Sequence, residues 1–186
     1  MLEKKKNLVW IDLEMTGLDP KKDKIIEIAS LVTNSNLEIL EEGPSIVIFQ
    51  SDSQLSKMNE WNKHIHSING LIQEVKHSKI EEEEAEKMTI DFLKKWTIYK
   101  KSPICGSSIW KDRHFLFNYM PNLESYLHYR CIDVSTIREL SSRWNKNLIF
   151  QRKKQEKQHR AMNDIRNSIK ELIFYRKNFF LLKNSI

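Results

Sequence analysis

The sequence predicts one α/β domain built on a mixed central sheet, and three observations predict it: a length of 186 residues, three short apolar runs close together near the start, and alternating helical and strand-like patterns afterwards. A chain of this length buries roughly 70% of the surface that its unfolded form exposes, which suffices for a single core. Three strands followed by alternating helices and strands point to a layered α/β fold.

Leu8 to Leu13 is an apolar run short enough for a buried strand. Ile25 to Val32 and Ser45 to Phe49 read likewise, separated by turn signals at Gly17-Leu18-Asp19-Pro20, Asn34-Ser35-Asn36 and Gly43-Pro44. Ser78-Lys79-Ile80-Glu81 has the spacing of a capping box, and Ala85, Met88, Phe92, Leu93 and Trp96 follow at helical spacing, so a helix is expected to about Tyr99. The acidic run Glu81 to Glu84 suits the positive end of that helix's dipole better than a cation site.

Pro103 to Gly106 reads as a short buried strand, Trp110 to Tyr119 as a helix stopped before Pro121, Arg130 to Val134 as a strand and Ser135 to Trp144 as a helix. Asn145 to Gln158, with Arg152, Lys153, Lys154 and Lys157, is polar enough for an exposed connection. The last helix is expected over Ala161 to Lys177, where Met162, Ile165, Ile169, Leu172 and Ile173 form one stripe, with a tail to residue 186. Neither an internal repeat nor a second domain is visible.

No stretch approaches the ~18 apolar residues of a membrane span, and Met-Leu-Glu-Lys-Lys-Lys leads into a strand without a signal-peptide core, which predicts a soluble, cytoplasmic protein. Cys105 and Cys131 lie in apolar runs without neighbouring metal ligands, so both are expected to be reduced and buried. A formal charge of +6 suits a phosphate-bearing partner, although a chain rich in Lys, Asn and Ile throughout reaches that charge by composition alone.

The chemistry begins at Asp12-Leu13-Glu14. Residues two apart on a strand share a face, so two carboxylates stand side by side while Ile11 and Leu13 turn away. Such like charges are tolerated when cations lie between them, and Mg²⁺ and Mn²⁺ prefer oxygen ligands. An isolated Asp-x-Glu is more often a solvated strand end. A second cluster, His159-Arg160-Ala161-Met162-Asn163-Asp164, sets a histidine just before a helix that bears an aspartate, and Asp112 opens the helix after a buried strand. Taken singly, such an Asp is usually a cap or a solvated charge, and such a His structural.

Taken together, these residues resemble the exonuclease motifs of the DEDDh superfamily, and the likeness to its oligoribonucleases runs over nearly the whole chain. It extends through Trp10 to Pro20, Ile25-Ile26-Glu27-Ile28-Ala29, Lys101 to Gly106 and His128-Tyr129-Arg130. The resemblance implies a ribonuclease H-like fold, a homodimer, and 3′→5′ hydrolysis of very short RNA, dinucleotides above all, to 5′-mononucleotides. It implies Asp12, Glu14, Asp112 and Asp164 as ligands of two divalent cations, Mg²⁺ or Mn²⁺, and His159 as general base. In such a mechanism cations about 3.5 to 4 Å apart clamp attacking and leaving oxygens, with Asp12 bridging them and Glu14 and Asp164 holding the one beside the water. Histidine suits the base because its ordinary pKa near 6.5 leaves a neutral fraction at cellular pH.

By the same resemblance Leu18 wedges against a base, Trp61 and His66 line the 3′-end pocket, and Tyr129 of a second subunit stacks on the 5′ base. Ser108, with Arg130 and Ser135 of that subunit, closes on the 5′ phosphate. Without the resemblance, Leu18 is an ordinary turn residue, Trp61 a core aromatic, Tyr129 a buried edge residue and Ser135 a helix cap. The chain departs from the family's Gly-Asn-Ser-Ile-Gly-Gln-Asp pattern at Ser107, Trp110 and Lys111. If the replaced glycine needs a positive φ, Trp110 requires a relaxed backbone or displaces Asp112. Two other readings stay open: a sibling exonuclease acting on longer strands, and an RNA-binding protein with weakened turnover.

Overall fold

The computed structural model describes residues 3–145, 147–148 and 159–180. Strands β1 (Leu8–Met15), β2 (Ile25–Thr33) and β3 (Ile39–Val47) are followed by helices α1 (Asp52–Leu55), α2 (Glu60–Ile68), α3 (Leu71–His77) and α4 (Glu82–Trp96). Then come β4 (Pro103–Gly106), α5 (Trp110–Tyr119), α6 (Pro121–Tyr126), β5 (His128–Asp133), α7 (Val134–Trp144) and a last helix, α8 (Ala161–Asn178). The five-stranded sheet has the order β3-β2-β1-β4-β5. Its first three strands are antiparallel neighbours, whereas β1 with β4 and β4 with β5 run parallel, so the sheet is mixed as expected and helices cover it.

The two faces follow from the alternation along β1. Val9, Ile11 and Leu13 enter an apolar cluster with Phe92 and Leu93 of α4 and Phe115 of α5. Trp10 points the other way, packs with Ile165, Ile169 and Leu172 of α8, and donates from Nε1 to Thr33 Oγ1 at 3.0 Å. Each such fully buried aliphatic side chain contributes on the order of 1.5–3 kcal/mol. Asp12 and Glu14 therefore lie on the Trp10 face, the one that α8 covers. Gly106 lets β4 approach, because a Cβ there would stand 2.9 Å from Ile109 and 3.1 Å from the Ile11 carbonyl.

Several expectations are corrected. Strand β3 begins at Ile39 and runs through Gly43-Pro44, which is no turn. It is an edge strand, where proline is tolerated, and a Cβ on Gly43 would meet the Phe92 ring at 2.5 Å. Ser78 does not open α4: it closes α3, its N–H donating to the Glu74 carbonyl and its hydroxyl to the Val47 carbonyl, and α4 starts only after Glu81, with Glu82, Glu83 and Glu84 in its first turn. Helices α1, α2, α3 and α6 are short and escaped the periodicity. Cys131 is exposed, since it lies on the outer edge strand β5, and its Sγ faces Arg113 at 3.4 Å; Cys105 is buried as expected. Most of the Asn145–Gln158 connection and the tail after 180 lie outside the described residues.

Candidate active site

A cavity of about 700 Å³ opens where β1, the start of α5 and one stripe of α8 meet. Asp12, Glu14, Asp112, Asp164 and His159 all line it. Strand alternation supplies the first two. Asp112 arrives in the first turn of α5 and is anchored to β1, because the Leu13 N–H donates to its Oδ1 at 3.0 Å. Asp164 stands in the first turn of α8, and Asn167, Ser168 and Glu171 continue its stripe along the cavity at helical spacing. Among the described residues, Glu14, His159 and Asp164 bring one ligand atom each within 4.8 Å of one another.

The electrostatics follow from crowding carboxylates into a half-closed space. Burial, then the charges of Asp112, Glu14 and Asp164, hold Asp12 well above the usual carboxylate range. Burial, helped by Asp164, Glu27 and Asp112, lifts Glu14 to about 8. Asp112 is pushed by burial to about 7 even though the Leu13 N–H opposes the shift. Such a set is stable only with protons or cations among the oxygens. Four carboxylates suit a hard divalent cation, so their oxygens fit the metal that the resemblance implies.

His159 has φ 48°, a left-handed conformation rare outside glycine. Its carbonyl accepts from Asn69 Nδ2 at 2.6 Å, and its ring meets the edge of Trp61 with centroids 5.3 Å apart. Next to it, Arg160 bonds both Glu27 and Glu74, and the Ala161 N–H donates to Glu27 at 3.0 Å. Glu27 is 1% exposed and lies opposite Glu14 in the β1–β2 register. It is thus a fifth carboxylate beside the cluster, but its oxygens are taken up by Arg160, Ser45 and Ala161, so it clamps the start of α8. Sequence reasoning assigned Asn69, Glu27 and Arg160 no role. A lone acid within Ile25-Ile26-Glu27-Ile28-Ala29 was the available signal for one of them.

His66 is buried with Nε2 3.7 Å from Glu14, and burial, with His159 nearby, lowers its pKa to about 4, which keeps it neutral. Trp61 is 57% exposed and therefore no core residue. Leu18, Ser108 and Ser135 line the cavity; Trp61, His66, Tyr129 and Arg130 lie outside its lining. The hydroxyls of Ser108 and Ser135 are hydrogen-bonded at 3.1 Å within one chain, because Asp133 Oδ1 accepts both backbone N–H groups. Ser135, expected from a second subunit, thus already stands beside Ser108 of its own, and Asp133 rather than Ser135 caps α7. Tyr129 is 72% exposed, with Arg130 over its ring at 5.4 Å.

The departures around Asp112 are accommodated. Trp110 is the first residue of α5 and has no positive φ; the left-handed residue of this loop is Ser108, at φ 57°. Asp112 keeps its bond to β1, and Ser107 bonds the Ser168 hydroxyl of α8 at 2.9 Å. Arg138 of α7, also on the cavity wall, holds Glu171 through both its oxygens.

Residues 9–172 match the family model described as exonuclease. Oligoribonuclease of Photorhabdus laumondii is 54% identical over 98% of this chain and 100% of its own, and that of Klebsiella pneumoniae 57% identical over 95% and 97%. Among solved structures, an exonuclease I superposes with a TM-score of 0.72 at 13% identity, over 92% of this chain and 41% of that one. The zinc-bound complex of E. coli exonuclease I with single-stranded DNA gives a TM-score of 0.67 at 15% identity, over 94% of this chain and 41% of that one. This chain therefore spans about two fifths of either exonuclease I, and that likeness concerns the fold. No helix among the described residues is long and apolar enough to cross a membrane.

Proposed function

The chain belongs to the oligoribonucleases, 3′→5′ exoribonucleases of the DEDDh exonuclease superfamily, and on that premise we propose that it hydrolyses very short RNA in the cytoplasm, dinucleotides above all, to 5′-mononucleotides. The observation that carries this reading is the convergence of Asp12, Glu14, Asp112, Asp164 and His159 on one cavity.

Asp12, Glu14, Asp112 and Asp164 would hold two divalent cations, Mg²⁺ or Mn²⁺. When bound, such a pair makes water a better nucleophile and neutralises charge on the phosphoryl and departing oxygens. The side chains do the rest. His159, held by Asn69 and Trp61, accepts the proton of the attacking water. Leu18 wedges against a base from the cavity rim, and Trp61 and neutral His66 receive the 3′ end. Ser108 and Ser135 offer hydroxyls to the 5′ phosphate.

Tyr129 and Arg130, outside the lining of their own chain's cavity, would complete the partner's site in a homodimer and close its 5′ end. Arg offers paired donors to phosphate, and Tyr a sequence-tolerant stack. A pocket closed at both ends prefers two nucleotides to a long strand.

The test is cleavage of 5′-labelled RNA of two, five and twenty nucleotides with Mg²⁺, with Mn²⁺ and with chelator, by wild type and Asp12→Ala. Metal-dependent loss of the dinucleotide well ahead of the long RNA, abolished in Asp12→Ala, is expected. Faster cleavage of the long strand would move the chain's substrates to those of a sibling exonuclease, and binding without cleavage would leave only an RNA-binding role.

A further inference from the structure

Trp110 is the largest departure from the family pattern around the metal ligands, and the structure gives it no role in the core. It is 57% exposed and belongs to none of the three apolar clusters. It lines the active-site cavity together with Ser108, Lys111 and Asp112. Lys111 Nζ stands 4.5 Å from the centroid of its ring, so a cation accompanies an indole on the wall that faces the substrate.

Its backbone is anchored. Trp110 opens α5, and two residues later in the same turn Asp112 is tied to β1 by the 3.0 Å bond from Leu13. The backbone that carries the indole is thus set by the same helical turn that carries Asp112. An aromatic face held in this way offers a base a stacking surface without reading its edge, which suits a site that takes RNA of any sequence.

Resting on the reading of this cavity as an oligoribonucleotide site, we propose that Trp110 is a stacking platform for a base of the bound RNA, with Lys111 beside the adjoining phosphate. It adds affinity for base-bearing substrates through a side chain that the family pattern lacks.

The test compares the affinities of a 5′-phosphorylated dinucleotide and of its doubly abasic counterpart for wild type, Trp110→Ala and Trp110→Phe, with Ca²⁺ replacing Mg²⁺. Trp110→Ala is expected to weaken the dinucleotide roughly 5- to 150-fold, the range of one base–aromatic stack, to leave the abasic ligand unchanged, and to be largely rescued in Trp110→Phe. Equal weakening of both ligands, no weakening of the dinucleotide, or no rescue by phenylalanine would overturn the stack. The outcome is separable from that of the length assay. Faster cleavage of long RNA alongside a base-dependent loss in Trp110→Ala would reject the dinucleotide preference alone, while wild type binding neither ligand would reject both.

Discussion

The Asn69 side chain donates to the carbonyl of His159 at 2.6 Å, across 90 positions of sequence. The bond fastens the residue after α2 to the second residue before α8, and it holds His159 in its left-handed conformation. A non-glycine residue there costs on the order of 1–3 kcal/mol, which surrounding contacts must offset. Asn69→Ala should therefore keep fold and metal affinity but lower kcat about tenfold, with less change in KM, because the imidazole is misplaced rather than removed. Steady-state kinetics with Mg²⁺ held saturating decide this, and an unaltered kcat would show that His159 needs no such support.

His159→Ala tests the base itself. Loss of a general base lowers turnover by about 10² to 10⁴, while thermal stabilisation by Mg²⁺ should persist, since the carboxylates remain. Wild-type turnover in the variant would remove His159 from the mechanism.

Arg160→Ala should destabilise the protein by on the order of 3 kcal/mol, because Glu27, 1% exposed, is left as a buried charge without its cation. Urea unfolding provides the measurement. A change below about 1 kcal/mol, the level of a surface pair, would mean that Ser45 and the Ala161 N–H alone satisfy Glu27. Activity should fall as well, as His159 and Asp164 flank the clamped turn.

Stability should depend on pH in the absence of metal. A carboxyl raised to about 8 in the folded chain, as Glu14 is, stabilises fully below its unfolded value near 4.3, and that contribution drains away as pH rises toward 8. Asp112, raised to about 7, acts in the same sense. His66 is opposite: lowered to about 4, it costs stability only as pH falls below about 6.5. Between about pH 6.5 and 8 the carboxyls alone remain, so Tm in chelator should decline over that window and saturating Mg²⁺ should abolish the slope. A flat Tm in chelator would contradict the crowding of Glu14 and Asp112.

Much of the site was legible because its parts are local. Asp12 and Glu14 share a face through the two-residue period of a strand, and Asp164 shares a stripe with Ser168 and Glu171 through the period of a helix. The strand Pro103–Gly106 needed only an apolar run, the helix from Trp110 was bounded by the stop at Pro121, and the helix expected from Ser135 begins one residue earlier, at Val134. Helices α1 and α3, of four and seven residues, are too short to show a periodicity of their own, and α2 buries Asn62 and His66 instead of an apolar stripe, so their placement comes from packing.

The sequence by itself determined the layered fold and, through its family resemblance, singled out the carboxylates and the histidine that meet at the cavity and the departures at Ser107, Trp110 and Lys111. Only the tertiary structure decided that Trp110 leaves Asp112 in place, that Ser108 and Ser135 of one chain meet, and that Glu27 is a clamp and not another ligand of the cluster. The reason is range. A strand or helix places side chains by periods of two or 3.6 residues, whereas Glu27 and Arg160 are 133 positions apart, and whether a buried acid faces a metal ion or an arginine depends on which distant segment folds onto it.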